Sequence, residues 1–126
     1  MIPNHPPHFA IIGAGTAGLA TAILLARQNI QVSILEKASE LEPVGAGLLL
    51  QPSGLAVFEH LGLLDEVLRL GAKVTGLKGQ LPSGNLLVNS HYQQAHPDFY
   101  GVGIHRATLC HVLENKCREY PELITW

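Results

Sequence analysis

Between His8 and Leu35 the apolar positions fall into three blocks, separated by a glycine-rich stretch and by Asn29. The first, His8–Ile12, is short and continuously apolar, the pattern of a strand buried on both faces. The second, Ala17–Gln28, is too long for a strand and rich in Ala and Leu. Ala20, Ile23 and Leu24 recur at helical spacing, which predicts a helix with that face inward. Arg27 suits the negative C-terminal end of such a helix. The third block, Ile30–Leu35, predicts a second buried strand. The link between helix and strand is so short that the two strands should be parallel, joined by a right-handed crossover. A link this short also needs a residue of positive φ after the helix, and Asn29 is the best non-glycine candidate.

The remaining pattern is less regular. Met1–Pro7 is a Pro-rich, polar leader expected to fray, and Lys37–Pro43 predicts a charged loop. Gly45–Gln51 is Gly-rich and then apolar. Pro52–Leu61 predicts a helix, with Pro52 in its first turn and Gly62 after its end, and Leu63–Leu70 a shorter helix stopped by Gly71. Val74–Gln80 and Leu86–Ser90 flank Pro82-Ser83-Gly84-Asn85, a turn sequence that predicts an antiparallel hairpin. Gly101–His105 reads as a strand. Arg106–Arg118, with Leu109, Val112 and Leu113, reads as an amphipathic helix, and Leu123–Trp126 begins another strand. No repeat or interdomain linker is visible, so residues 1–126 read as part of one domain.

Composition narrows the function. The chain is 47% apolar and only 14% charged, against about 25% charged in an average soluble domain, which implies surface meant to be covered by a large cofactor or by further chain. A net charge of −2, with 8 Lys and Arg scattered along the sequence, offers no footprint for nucleic acid. Cys110 and Cys117 lie seven positions apart on one predicted helix, too far along its axis for a disulfide, and read as buried, reduced thiols. The seven histidines show no zinc-ligand spacing, so no metal is predicted. Phe9–Ala26 is apolar enough to resemble a signal peptide or membrane span. No Lys or Arg precedes it and three spaced glycines interrupt it, so a cytoplasmic protein is expected.

Gly13-Ala14-Gly15-Thr16-Ala17-Gly18 fits G-x-G-x-x-G. The pattern is weak alone, but here it follows a predicted strand, opens a predicted helix, and precedes Glu36 at the end of the second strand. Glu36 lies 18 positions beyond Gly18, close to the ~20 of the dinucleotide fingerprint. Gly13 permits the tight turn, Gly15 lets backbone approach a pyrophosphate, and Gly18 allows close packing of helix on strand. The amides of Thr16 and Ala17 belong to the helix N-terminus, whose unpaired N–H groups and positive dipole suit phosphate. Glu36 should accept hydrogen bonds from ribose hydroxyls and repel a 2′-phosphate, which favours FAD or NAD over NADP. Lys37 stands beside it as a further cofactor-side candidate, although its own reading is a solvated charge. The expected fold class is therefore α/β and Rossmann-like: a truncated FAD/NAD(P)-binding fold with a parallel sheet, helices and an antiparallel hairpin insertion.

Spacing does not separate FAD from NAD. The run Val44-Gly45-Ala46-Gly47-Leu48-Leu49-Leu50-Gln51-Pro52-Ser53-Gly54, continuing through Leu61-Gly62-Leu63-Leu64-Asp65-Glu66-Val67, resembles the segment after the second strand in aromatic-ring hydroxylases of the para-hydroxybenzoate hydroxylase type. His105-Arg106-Ala107-Thr108-Leu109, with Leu113, resembles that family's R-x-x-L-x-x-x-L helix start. The resemblance implies that Gly45, Gly47 and Leu48 lie beside the flavin, and that Arg106 reaches the ribityl or pyrophosphate region of FAD. It implies an FAD-dependent monooxygenase that uses NADH or NADPH and O2 to hydroxylate a small, aromatic substrate, and leaves a homo-oligomer open. It also implies that the family's later Asp-Gly and Gly-Asp segments would follow Trp126, so this chain is expected to be the N-terminal part of an FAD-binding domain, inactive alone. The rival readings are a related FAD-dependent halogenase or reductase, and a non-catalytic dinucleotide-binding fragment. No catalytic acid or base is identified.

Overall fold

The computed structural model describes residues 6–39 and 46–126. Gly45, most of the predicted leader and the greater part of the charged loop lie outside the described residues. In chain order the elements are β1 (His8–Ile12), α1 (Thr16–Arg27), β2 (Gln31–Leu35), β3 (Gly47–Leu50), α2 (Pro52–His60), α3 (Leu64–Leu70) and β4 (Ala72–Val74). They continue with β5 (Gly76–Gln80), β6 (Leu86–His91), a short 3-10 helix at Tyr92–Gln94, β7 (Gly101–His105), α4 (Arg106–Cys117) and β8 (Ile124–Thr125). Two compact units result, one of Met1–Gly45 with Arg106–Trp126 and the other of Ala46–His105.

The first unit is a parallel sheet in the order β1-β2-β8, with α1 and α4 packed together. β1 runs parallel to β2, from His8 opposite Gln31 to Ile12 opposite Leu35, as the short helix-to-strand link requires. That link closes as the sequence predicts. Asn29 has φ 59°, its N–H donates to the Ala26 carbonyl, and the Ile30 N–H donates to the Leu25 carbonyl, the paired bonds of a Schellman motif. The core joins Leu19, Ala22, Ile23 and Ala26 of α1 to Val32 and Ile34 of β2, with Leu109, Leu113 and Cys117 from α4.

Two expectations fail here. The inward stripe of α1 is Leu19-Ala22-Ile23-Ala26; of the predicted face only Ile23 is buried, and Leu24 is exposed. Contact with both α4 and the sheet sets that stripe, and the position of α4 is not encoded in the periodicity of α1. β1 is mostly exposed instead of buried on both faces, with Ile12 88% exposed. Among the described residues it pairs on one side only, with β2, so its apolar side chains lack the cover their pattern calls for.

In the second unit β7 lies between β3 and β4, antiparallel to both, and β5 with β6 forms the predicted hairpin. Gly84, with φ +87°, turns the hairpin, and Leu81 N–H donates to the Asn85 carbonyl across it. The strand predicted over residues 74–80 divides at Thr75, because β4 pairs with β7 whereas β5 pairs with β6. β3 is a strand that the Gly-rich, non-alternating sequence did not announce. Leu55, Phe58, Leu61 and Val67 from the α2–α3 region are buried, as are Val102 and Ile104 of β7. No helix among the described residues is long and apolar enough to cross a membrane.

Asn29 gives a direct test of the α1 terminus. Asn29→Ala should lower unfolding free energy by about 1 kcal/mol, the cost of forcing a Cβ-bearing residue without Asn's local bonding into left-handed φ. Asn29→Gly should be close to neutral. Urea denaturation of the two variants beside the parent chain checks both.

Candidate functional site

The glycine loop is built where β1 leaves the sheet. The parallel ladder continues one residue past β1, with the Gly13 N–H donating to the Leu35 carbonyl at 2.7 Å. Gly13 then takes φ +98°, turning the backbone out of the sheet. Gly18 is required for packing: a Cβ there would stand 2.3 Å from the Gly13 carbonyl oxygen and 3.1 Å from Ile11 Cγ2. Gly15 differs from both. Its φ of −77° suits any residue, and a Cβ added to it would meet nothing within 4 Å. Nothing in the described protein demands glycine at position 15, so the open space above it is where an outside group can come close to the backbone.

That space lies at the start of α1. Gly15 caps the helix without a side chain, no acidic residue occupies the first turn, and the first intrahelical bond is made by Leu19 N–H to the Gly15 carbonyl. The amides of Thr16, Ala17 and Gly18 precede that bond and are the orphan donors of a helix N-terminus, aimed with the positive end of its dipole. Thr16 is half-buried and Ala17 exposed. These residues fit the pyrophosphate of a dinucleotide such as FAD: a row of donors, a positive dipole end, and clearance over Gly15.

Glu36 is half-buried at the end of β2, with both carboxylate oxygens in use. Oε2 accepts the Ala14 N–H at 2.7 Å and Oε1 the Ala38 N–H at 2.9 Å. The Ala38 amide, then the Ala14 amide, hold its carboxyl below the ordinary value, against partial burial that pushes the other way. Lys37 is exposed, and its backbone amide, then its charge, lower Glu36 further.

Arg106 is the first residue of α4, exposed, and paired with no carboxylate among the described residues. It shares a helical stripe, at i+4, i+7 and i+11, with Cys110, Leu113 and Cys117, all buried. It therefore stands in line with the buried stripe of α4, at the end of the helix where that stripe opens and the side chain is exposed. Cys117 Sγ lies 3.6 Å from the Leu19 carbonyl, so the last turn of α4 rests on the first half of α1. Arg106 stands at the other end of α4, about 16 Å away at 1.5 Å per residue. Burial is the main cause that pushes the Cys117 thiol up to about 11, and burial also raises Cys110, opposed by Arg106. Both cysteines are free.

Gly47 and Leu48 belong to the second unit. They open β3, opposite His105 and Ile104 of β7, and line an open cleft with Gly71, Ala72 and Gly103. The structure thus gathers Gly13, Gly15, Thr16, Ala17, Gly18 and Glu36 around one loop, and sets Arg106 on a neighbouring helix of the same unit. Two contacts escaped the sequence reading: the Ala14 amide on Glu36, and Tyr92, whose hydroxyl donates to Gln51 Oε1 at 2.8 Å, just before α2. Each joins residues distant in sequence, and neither leaves a signal in local pattern. Among the described residues no group of three His, Cys, Asp or Glu is placed to hold a metal ion.

Comparison with known proteins agrees with this geometry. The family described as FAD binding domain matches residues 8–117. The 3-hydroxybenzoate 6-hydroxylase of Klebsiella oxytoca is 38% identical over 104 residues, 79% of this chain and 26% of that protein. The 3-amino-4-hydroxybenzoate 2-monooxygenase of Streptomyces cremeus is 33% identical over the same length, again 79% of this chain and 26% of its own. Among solved structures, P. aeruginosa PqsL in complex with 2-aminobenzoylacetate superposes with a TM-score of 0.85 at 28% identity, covering 94% of this chain and 33% of that one. The chain therefore spans between a quarter and a third of the length of these relatives.

Two measurements test the site. Gly18→Ala should cost roughly 1–3 kcal/mol of stability, the scale of overpacking, whereas Gly15→Val should leave the denaturation midpoint nearly unchanged and abolish ADP binding. Equal destabilisation by both would remove the distinction. The amide resonances of Ala14 and Ala38 should shift together on acidification, with a midpoint below the ordinary glutamate value. Because the folded value is the lowered one, the stabilisation from Glu36 is present above its unfolded value and is lost as pH falls through the folded value.

Proposed function

This chain belongs to the FAD binding domain family, and from that premise we propose that it is the adenosine-side part of a flavoprotein monooxygenase. The enzyme would use NADH or NADPH and O2 to hydroxylate a small aromatic substrate. One observation carries the nucleotide reading: clearance over Gly15, which the protein itself does not need, above a helix N-terminus without a side-chain cap. The substrate class is supported by the names of the two curated relatives, which act on hydroxylated benzoates.

The chain's own contributions are binding and orientation. Thr16, Ala17 and Gly18 present N–H donors to the pyrophosphate. Glu36 accepts from the adenosine ribose hydroxyls, and its charge disfavours a 2′-phosphate. Arg106 offers a planar, multi-donor guanidinium to the pyrophosphate or ribityl oxygens, a geometry that can bind two oxygens at once. Gly47 and Leu48, with Gly45 by family resemblance, supply backbone beside the flavin ring. When bound, FAD supplies the redox chemistry, which these residues position and shield from water. No side chain of this chain is assigned to proton transfer. Two reduced, buried thiols fit a cytoplasmic location.

The full-length polypeptide should purify yellow, and an added hydroxybenzoate should accelerate NADH or NADPH oxidation with matching O2 uptake. Arg106→Ala should weaken FAD binding about tenfold, the scale of a lost charge-assisted hydrogen bond. The 126-residue chain alone, incubated with excess FAD and desalted, should lose the flavin absorbance. A full-length protein that retains no flavin yet binds NAD would overturn the proposal.

A further inference from the structure

We propose that Glu36 is a positioning residue for the glycine loop, holding the turn at Ala14 in its ligand-ready shape before any nucleotide arrives. The β1–β2 ladder stops at Gly13. Gly13 makes the last ladder bond, to the Leu35 carbonyl, and then turns out of the sheet. The next amide belongs to Ala14, a residue only 1% exposed. Past the turn at Gly13 the paired register of β1 and β2 has ended, and a buried N–H without an acceptor is costly. Glu36 Oε2 takes that place, accepting the Ala14 N–H at 2.7 Å. Oε1 accepts the Ala38 N–H at 2.9 Å, so one carboxylate bridges the turn after β1 and the turn after β2.

Holding the loop and reading a ribose are compatible tasks. An ionised carboxylate has roughly four lone-pair sites; the Ala14 and Ala38 amides use one on each oxygen, and acceptor capacity remains for a ribose hydroxyl. A carboxamide cannot do the same, since its NH2 group would face one of the two N–H donors. The inference adds to the nucleotide reading a role that does not require ribose. Loss of Glu36 should weaken even a nucleotide with no ribose hydroxyls to read.

The test uses the full chain free of nucleotide, with Glu36→Gln and Glu36→Ala. Hydrogen exchange in the peptide covering residues 13–18 should quicken about tenfold in both variants while the core of α1 is unchanged. In the parent protein, which needs no variant to fold, the Ala14 amide should exchange at least about tenfold slower than the Ala17 amide, an orphan of the first helical turn. By calorimetry both variants should bind 2′,3′-dideoxy-ADP about tenfold more weakly than the parent does. Unchanged loop exchange overturns the proposal, and so does unchanged affinity for the dideoxy analogue, which would leave Glu36 as a ribose reader alone. If the parent binds neither ADP nor its dideoxy analogue, the nucleotide reading fails, and the exchange rates still decide the role of Glu36 in the loop.

Discussion

Every backbone N–H that leaves a sheet must find another acceptor or face solvent or a ligand, and the stretch from Gly13 to Gly18 shows each solution in turn. The Gly13 amide keeps a strand partner, the Leu35 carbonyl, and the Ala14 amide takes a side-chain partner, Glu36. The amides at the start of α1 are left to something outside the protein. The same loop dictates how closely α1 can lie on β1, through the contact between Gly18 and the Gly13 carbonyl. The close fit that builds the first unit and the open donors that suit a phosphate are therefore produced by the same six residues.

The three glycines of the fingerprint separate physically. One answers a backbone angle, one a steric contact inside the protein, and one neither of these. The last is the informative case, because a residue whose smallness the protein does not use points to the shape of a partner. Arg106 gives a similar argument: in line with the buried stripe of α4, where that stripe reaches the end of the helix, stands an exposed charge with no carboxylate among the described residues to meet it.

Much of this was legible in the sequence because it is local. The fingerprint, the left-handed Asn29, the glycine after α2 and the hairpin turn all follow from chemistry within a few residues, and the first unit has the expected parallel order of β1 and β2. What was not legible depends on neighbours far along the chain. The buried stripe of α1 is set in part by α4, whose Cys117 meets Leu19 across 98 positions of chain. The exposure of β1 depends on what lies beside it, and β3 is recognisable only through its pairing with β7. The bond from Ala14 to Glu36 spans 22 positions; both residues were visible, but the reason they need each other was not.

The contact of Cys117 with the Leu19 carbonyl carries a consequence for chemical labelling. The thiol is 1% exposed and its ionisation is pushed up to about 11, so in the closed structure it presents almost no thiolate to an alkylating reagent. Modification must wait for α4 to lift from α1, and its rate then counts those openings. Cys117 is thus a native reporter of how often the two helices of the first unit part, readable by mass spectrometry without adding a label of any other kind.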